Sequence, residues 1–173
     1  MSFLLRLDHG LRAWVVTHRI DWLNQPIFLL TVAGLYGAVW VLIALVLALA
    51  RRMSWRDVGR LLLVLAVTTI VTDYVLKPAL HRARPFEETP EIRVIGQHSE
   101  TPSFPSGHTA TAVAGAFVFT RTWPAGTVAW WVLAAAIAYS RVYLGVHYPL
   151  DLVAGAIVGL GCALCIWLFT KGR

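Results

Sequence analysis

Charge is scarce in this sequence. Lys, Arg, Asp and Glu occupy 14% of the 173 positions, against 58% hydrophobic residues. That balance excludes an ordinary soluble globular domain and leaves room for a single domain over residues 1–173. Cysteine is nearly missing. Cys162 and Cys165 sit in the last apolar segment with no other ligand-type residues beside them, which excludes a disulfide framework or a metal knuckle and leaves two small buried side chains. Acidic residues number 9 against 15 basic ones, but the basic ones are split among short loops instead of forming one face. The pattern argues against nucleic acid and for anionic lipid as the partner. The first 25 residues lack the compact apolar stretch and small-residue cleavage site of a signal peptide, so they are expected to persist in the mature protein.

What the sequence does have is long apolar runs. Ile27 to Ala50 contains no charged residue and is long enough for a bilayer core of about 30 Å, which predicts one spanning helix. Further spans are predicted over Val58–Leu76, Ser106–Thr122, Thr127–Ser140 and Leu150–Phe169. The expected fold is therefore all-α, a polytopic membrane helix bundle of about five transmembrane helices over residues 26–173. Ahead of it, in residues 1–25, Phe3, Leu4, Leu7, Leu11, Trp14 and Val15 recur at helical spacing with the charges mainly elsewhere. This is the pattern of an amphipathic helix lying in the membrane interface.

Arg51, Arg52, Arg56 and Arg60 crowd the first turn between spans, a positive-inside signal that Lys171 and Arg173 repeat at the other end. Trp14, Trp22, Trp55, Trp123 and Trp167 fall near span ends, as interface anchors do. Gly155 and Gly159 give a GxxxG spacing that lets another helix approach closely, and packing within the bundle is expected. With five crossings the polar clusters all reach the outer face.

There are three such clusters, and polar groups so placed in a membrane protein read by default as a functional site. In the first, Lys77 and Arg84, followed by Pro85, offer an ammonium and a planar guanidinium to one anion. In the second, Pro105, Ser106, Gly107 and His108 open a helix, with Ser106 as N-cap and free amides that favour an oxyanion. The third holds Ser140, Arg141, His147 and Asp151. Asp151 follows His147 by one helical turn, close enough to take its Nδ1 proton and leave Nε2 free to attack an electrophile. His81, Arg82 and His98 stand in or beside the intervening loop, His81 to Phe104, and are read as solvated. His9 and His18 are given a polar-face role on the interface helix, and Asp73 is expected to pair with a cation.

Lys77-x6-Arg84-Pro85, Pro105-Ser106-Gly107-His108 and Ser140-Arg141-x5-His147-x3-Asp151, in that order, resemble the three signatures of the type 2 phosphatidic acid phosphatase (PAP2) superfamily. The resemblance covers roughly Thr72 to Gly161. It implies hydrolysis of a lipid phosphate or pyrophosphate without metal or other cofactor, through a phosphohistidine on His147. Lys77, Arg84, Ser106, Gly107 and Arg141 would bind the phosphoryl oxygens, Asp151 would orient His147, and His108 would protonate the leaving group and then activate water. Two histidines in opposite protonation states predict a bell-shaped rate profile. Undecaprenyl pyrophosphate is the favoured substrate, ahead of phosphatidylglycerol phosphate, phosphatidic acid and the lipid A phosphate group, with a lipid phosphotransferase as the alternative. A bacterial inner membrane with the site facing the periplasm or exterior is the expected setting.

Overall fold

The computed structural model describes residues 3–170 apart from positions 90, 92 and 97. Lys171 and Arg173 lie outside the described residues. The chain is all helical there. α1 (Phe3–Thr17) is the amphipathic segment, but it stops short of the expected residue 25, because Ile20 is extended (φ −113°, ψ 120°) and α2 (Asp21–Ala33) starts one residue later. The apolar residues of α1, Phe3, Leu4, Leu7, Leu11 and Trp14, are exposed. Its polar Asp8 and Arg12 are buried, so the polar face turns toward protein, not water.

The predicted continuous span from Ile27 to Ala50 is broken. α2 ends at Ala33, a tight turn covers Leu35–Gly37, and α3 (Ala38–Leu49) resumes at an angle of 51°. Tyr36 (φ 50°) and Gly37 (φ 77°) both take left-handed backbone there. Glycine adopts that geometry without penalty, and at Gly37 a Cβ would also meet Leu65 at 2.8 Å.

α4 (Trp55–Thr69) is capped by Ser54, whose Oγ accepts the amide of Asp57 at 3.1 Å. It continues into a π-helical turn over Ile70–Leu76 and then α5 (Lys77–Leu80). Such wide turns cluster at functional sites. The loop that follows is not wholly irregular, since α6 (Pro85–Glu88) interrupts it, with Glu87 reaching back to the Arg84 amide at 2.9 Å. α7 (Gly107–Thr122), α8 (Thr127–Tyr143) and α9 (Pro149–Thr170) complete the bundle. α8 runs past the predicted end at Ser140, which carries Arg141 inside the helix.

Three helical stretches, Trp55–Glu88, Pro124–Tyr143 and Pro149–Thr170, are long and apolar enough to cross a membrane, and the bent pair around Gly34 makes a fourth. α7, with 16 residues, is the centre of the bundle, packed against α4, α8 and α9. Every residue from Thr109 to Phe119 is buried. Its run of Ala and Gly suits that place, because helix association in lipid relies on close backbone approach. Gly155 and Gly159 face α7, where a Cβ on Gly159 would come within 2.1 Å of the Ala110 carbonyl oxygen. The GxxxG spacing is thus used within the chain. Gly159→Ala should force α9 away from α7 and cost about 1–3 kcal/mol, as overpacking does. A lowered unfolding midpoint in detergent would show it, and an unchanged one would contradict the packing.

At the end of the bundle that carries the first arginine turn, Arg60 donates to Thr170 Oγ1 and to its carbonyl, each at 2.9 Å, and lies over the Trp167 ring at 4.6 Å. The start of α4 and the end of α9 are therefore neighbours. It follows that the end of the π-helical turn and the starts of α7 and α9 meet at the opposite end.

Candidate active site

At that opposite end a cavity of about 270 Å³ opens. Six of the sequence-predicted residues line it: Lys77, Arg84, Gly107, His108, Arg141 and His147. They arrive from five places in the chain, Gly107 and His108 together opening α7. Asp73 in the π-helical turn and Lys77 at the start of α5 pair at 2.7 Å, as expected for Asp73. Phosphate entering the cavity has to compete with that carboxylate for the ammonium. Gly107 is the first residue of α7, where free amides point at an anion. A Cβ there would lie 2.9 Å from Asp73 Oδ1, so only glycine leaves this corner open.

Ser106 is buried and does not line the cavity. Its Oγ accepts the hydroxyl of Thr109 at 3.0 Å and the Thr109 amide at 3.4 Å, while its own amide donates to the Asp151 carbonyl at 3.0 Å. Ser106 therefore caps α7 and ties it to α9, acting on the anion site through the helix it starts.

Arg84 is buried, 2% exposed, and most of its donors are already engaged. Nε donates to the Thr101 carbonyl at 2.7 Å and Nη1 to the Val146 carbonyl at 2.9 Å. Nη2 reaches Ser99 Oγ at 3.0 Å and Thr101 Oγ1 at 3.2 Å. Arg84 is thus a clasp between the 99–102 loop and the 145–148 turn, as well as a cation at the cavity wall. Arg141 hydrogen-bonds Thr31 of α2 through Nη1.

His147 sits in the turn between α8 and α9, buried at 2% exposure. Nδ1 faces Asp151 Oδ2 at 3.3 Å, and Nε2 lies 3.4 Å from Arg84 Nη1. Burial lowers its pKa to about 3, with the Arg84 and Arg141 charges adding to the effect and the Asp151 hydrogen bond opposing it. The imidazole is therefore neutral at physiological pH. Asp151 stands behind His147, away from the cavity. Its Oδ2 also accepts the Tyr148 amide at 2.8 Å and the Ser103 hydroxyl.

Sequence reasoning missed three residues here. Ser103 is one. Arg82, read as solvated, donates to Asp151 Oδ1 at 2.6 Å and pairs with Asp8 of α1. Asp8 is the third, and nothing in its local sequence pointed toward the site. The other loop histidines stay outside: His81 is exposed, and His98 is exposed and packs on Phe86 at 4.5 Å. His9 of α1 stacks against Tyr148 at 4.7 Å. Among the described residues no three His, Cys, Asp or Glu side chains are grouped to hold a metal ion.

The arrangement brings together an imidazole beside a carboxylate, a second imidazole, and three cations at one cavity wall. Leu35, Tyr36 and Tyr74 also line the cavity and are themselves exposed.

The model of the PAP2 superfamily matches residues 57–173. The chain is 33% identical over 125 residues to the undecaprenyl-diphosphatase of Sulfolobus acidocaldarius, covering 70% of this chain and 58% of that protein. It spans about half the length of the curated relatives it matches. Among solved structures, Aquifex aeolicus LpxE superposes with a TM-score of 0.81 at 26% identity, over 94% of this chain and 95% of the other. The first transmembrane PAP2 type phosphatidylglycerolphosphate phosphatase from Bacillus subtilis gives 0.78 at 25% identity, over 99% and 88%.

Proposed function

The chain belongs to the PAP2 superfamily, and from that membership we propose that it is a membrane lipid phosphatase working through a phosphohistidine. His147 Nε2 attacks phosphorus while its Nδ1 proton is held by Asp151. His108 gives a proton to the departing oxygen as the bond between it and phosphorus breaks. His108 then takes a proton from the water that splits the phosphorus–nitrogen bond, releasing phosphate and restoring neutral His147.

Charge on the transferring group is spread over its equatorial oxygens. Lys77, Arg84, Arg141 and the Gly107 amide meet it as fixed donors in a confined cavity, where preorganised charge is most effective. The observation that carries this reading is the convergence of both imidazoles and all three cations on one cavity.

The substrate we favour is a polyprenyl pyrophosphate such as undecaprenyl pyrophosphate. The diphosphatase activity for which the Sulfolobus relative is named and the exposed aromatic and aliphatic residues at the cavity mouth both support it. Phosphatidylglycerol phosphate, phosphatidic acid and the lipid A phosphate group are the competing headgroups. The setting we propose is a bacterial inner membrane with the cavity on the periplasmic or exterior face, supported by the exposed Arg51, Arg52 and Arg56 at the other end of the bundle.

Phosphate release by purified protein in detergent, with EDTA present, tests the reading across a panel of lipid monophosphates and pyrophosphates. Full activity in EDTA with one lipid preferred at least about tenfold in kcat/KM, a difference of about 1.4 kcal/mol, is the expected result. Release that chelator abolishes, or none from any lipid, would overturn it.

A further inference from the structure

Asp151 is not the last charge behind His147. Its Oδ1 accepts Arg82 Nη1 at 2.6 Å, and Arg82 Nη2 reaches Asp8 Oδ2 at 2.5 Å. Both carboxylates are fully buried as side chains, and Arg82 is 20% exposed. Asp8 Oδ1 in turn accepts the amide of Leu150 at 2.7 Å, in the first turn of α9. The Arg82 guanidinium lies over the Tyr148 ring at 4.1 Å, and the Tyr148 hydroxyl donates to Glu88 at 2.6 Å.

One guanidinium thus bridges two buried carboxylates, one on the N-terminal helix and one beside the nucleophile. A buried carboxylate without a cation is strongly disfavoured, and Arg82 supplies that charge to both aspartates while the Tyr148 and Leu150 amides hold their other oxygens. The geometry also matters. A guanidinium presents its donors in a rigid fork, and here the fork fixes Oδ1 of Asp151 in direction. With Oδ1 held by Arg82 and Oδ2 by the Tyr148 amide and the Ser103 hydroxyl, the carboxylate keeps Oδ2 turned to His147.

We infer that Arg82 and Asp8 are positioning residues for the His147–Asp151 pair, which makes α1 part of the apparatus that aims the nucleophile. Asp8 lies outside the region matched to the family, residues 57–173. The contact joins the turn that carries His147 to a helix whose apolar residues are exposed. The inference rests on the phosphatase reading above.

The test is steady-state kinetics with whichever lipid of that panel the wild type hydrolyses. Misplacing a reacting group by a fraction of an ångström costs rate without costing substrate binding. Arg82→Gln should lower kcat about 100-fold with KM within about twofold of wild type. Arg82→Lys, with charge but no fork, should recover about tenfold of that loss. Asp8→Asn should lower kcat about tenfold, again at constant KM. Arg6→Gln, an exposed charge on the same helix, should leave kcat unchanged.

Wild-type kcat in Arg82→Gln or Asp8→Asn, or a loss confined to KM, overturns the inference while leaving the phosphatase reading intact. Should Arg82→Gln not survive purification, Arg82→Lys and Asp8→Asn decide by the same criterion. No release by the wild type would overturn the phosphatase reading and this inference together.

Discussion

His147→Ala should abolish phosphate release, with kcat falling by about 10⁵- to 10⁶-fold, the scale seen when a covalent nucleophile is removed. Lys77, Arg84 and Arg141 remain to bind lipid phosphate, so KM or a direct binding constant should change little. A variant that keeps more than about 1% of activity would show that another group or water attacks phosphorus. The pH profile carries a second part of the same expectation. A nucleophilic imidazole works as the free base, which here persists as the pH falls until about 3, where burial and two neighbouring guanidinium groups place its protonation. The limb assigned to neutral His147 on sequence grounds therefore moves far below neutrality. Any acid limb above pH 5 belongs to the substrate, whose second phosphate ionisation lies near 6. It should shift with the substrate used and not with variants that change the surroundings of His147.

Arg84→Lys should lose about 10²- to 10³-fold in kcat/KM and also lower the unfolding midpoint. Lysine keeps the charge but gathers its donors on one nitrogen, where the guanidinium makes five hydrogen bonds, to the Thr101, Val146 and Pro102 carbonyls and to the Ser99 and Thr101 hydroxyls. Removing the fork leaves buried carbonyl groups without donors, each costing about 1–3 kcal/mol. It also loosens the turn that carries His147. An Arg84→Lys protein with wild-type melting but lowered kcat/KM would confine the residue to phosphate binding. Wild-type activity with lowered melting would make it a clasp alone.

The motif residues were legible because their spacing is local. Asp151 one turn after His147, and the short helix-opening run at Ser106 to His108, say where side chains point before any tertiary contact is known. The start of α7 was legible for the same reason, through its capping serine. Arg82 and Asp8 were not. Their contacts join residues 69 and 74 positions apart, and neither lies in a periodic pattern that a sequence scan can read. The predicted polar face of α1 was visible, but its direction was not, since an amphipathic pattern is the same whether the polar side meets water or a buried arginine. The break at Gly34 to Gly37 hid inside an uninterrupted apolar run. Hydropathy measures what a segment can be buried in, and it carries no information about whether the axis stays straight.

The π-helical turn over Ile70–Leu76 has a consequence for how this chain can change over evolution. One extra residue per turn shifts every following side chain by about 100° relative to a regular helix, and Lys77 comes immediately after it. Substitutions within the segment leave that rotation alone. Regular α-winding of the same seven residues would swing the ammonium off the cavity without altering a single motif letter, whereas loss of one residue would let regular winding bring Lys77 back to the same direction, so the extra residue and the wide turn that absorbs it are kept or lost together.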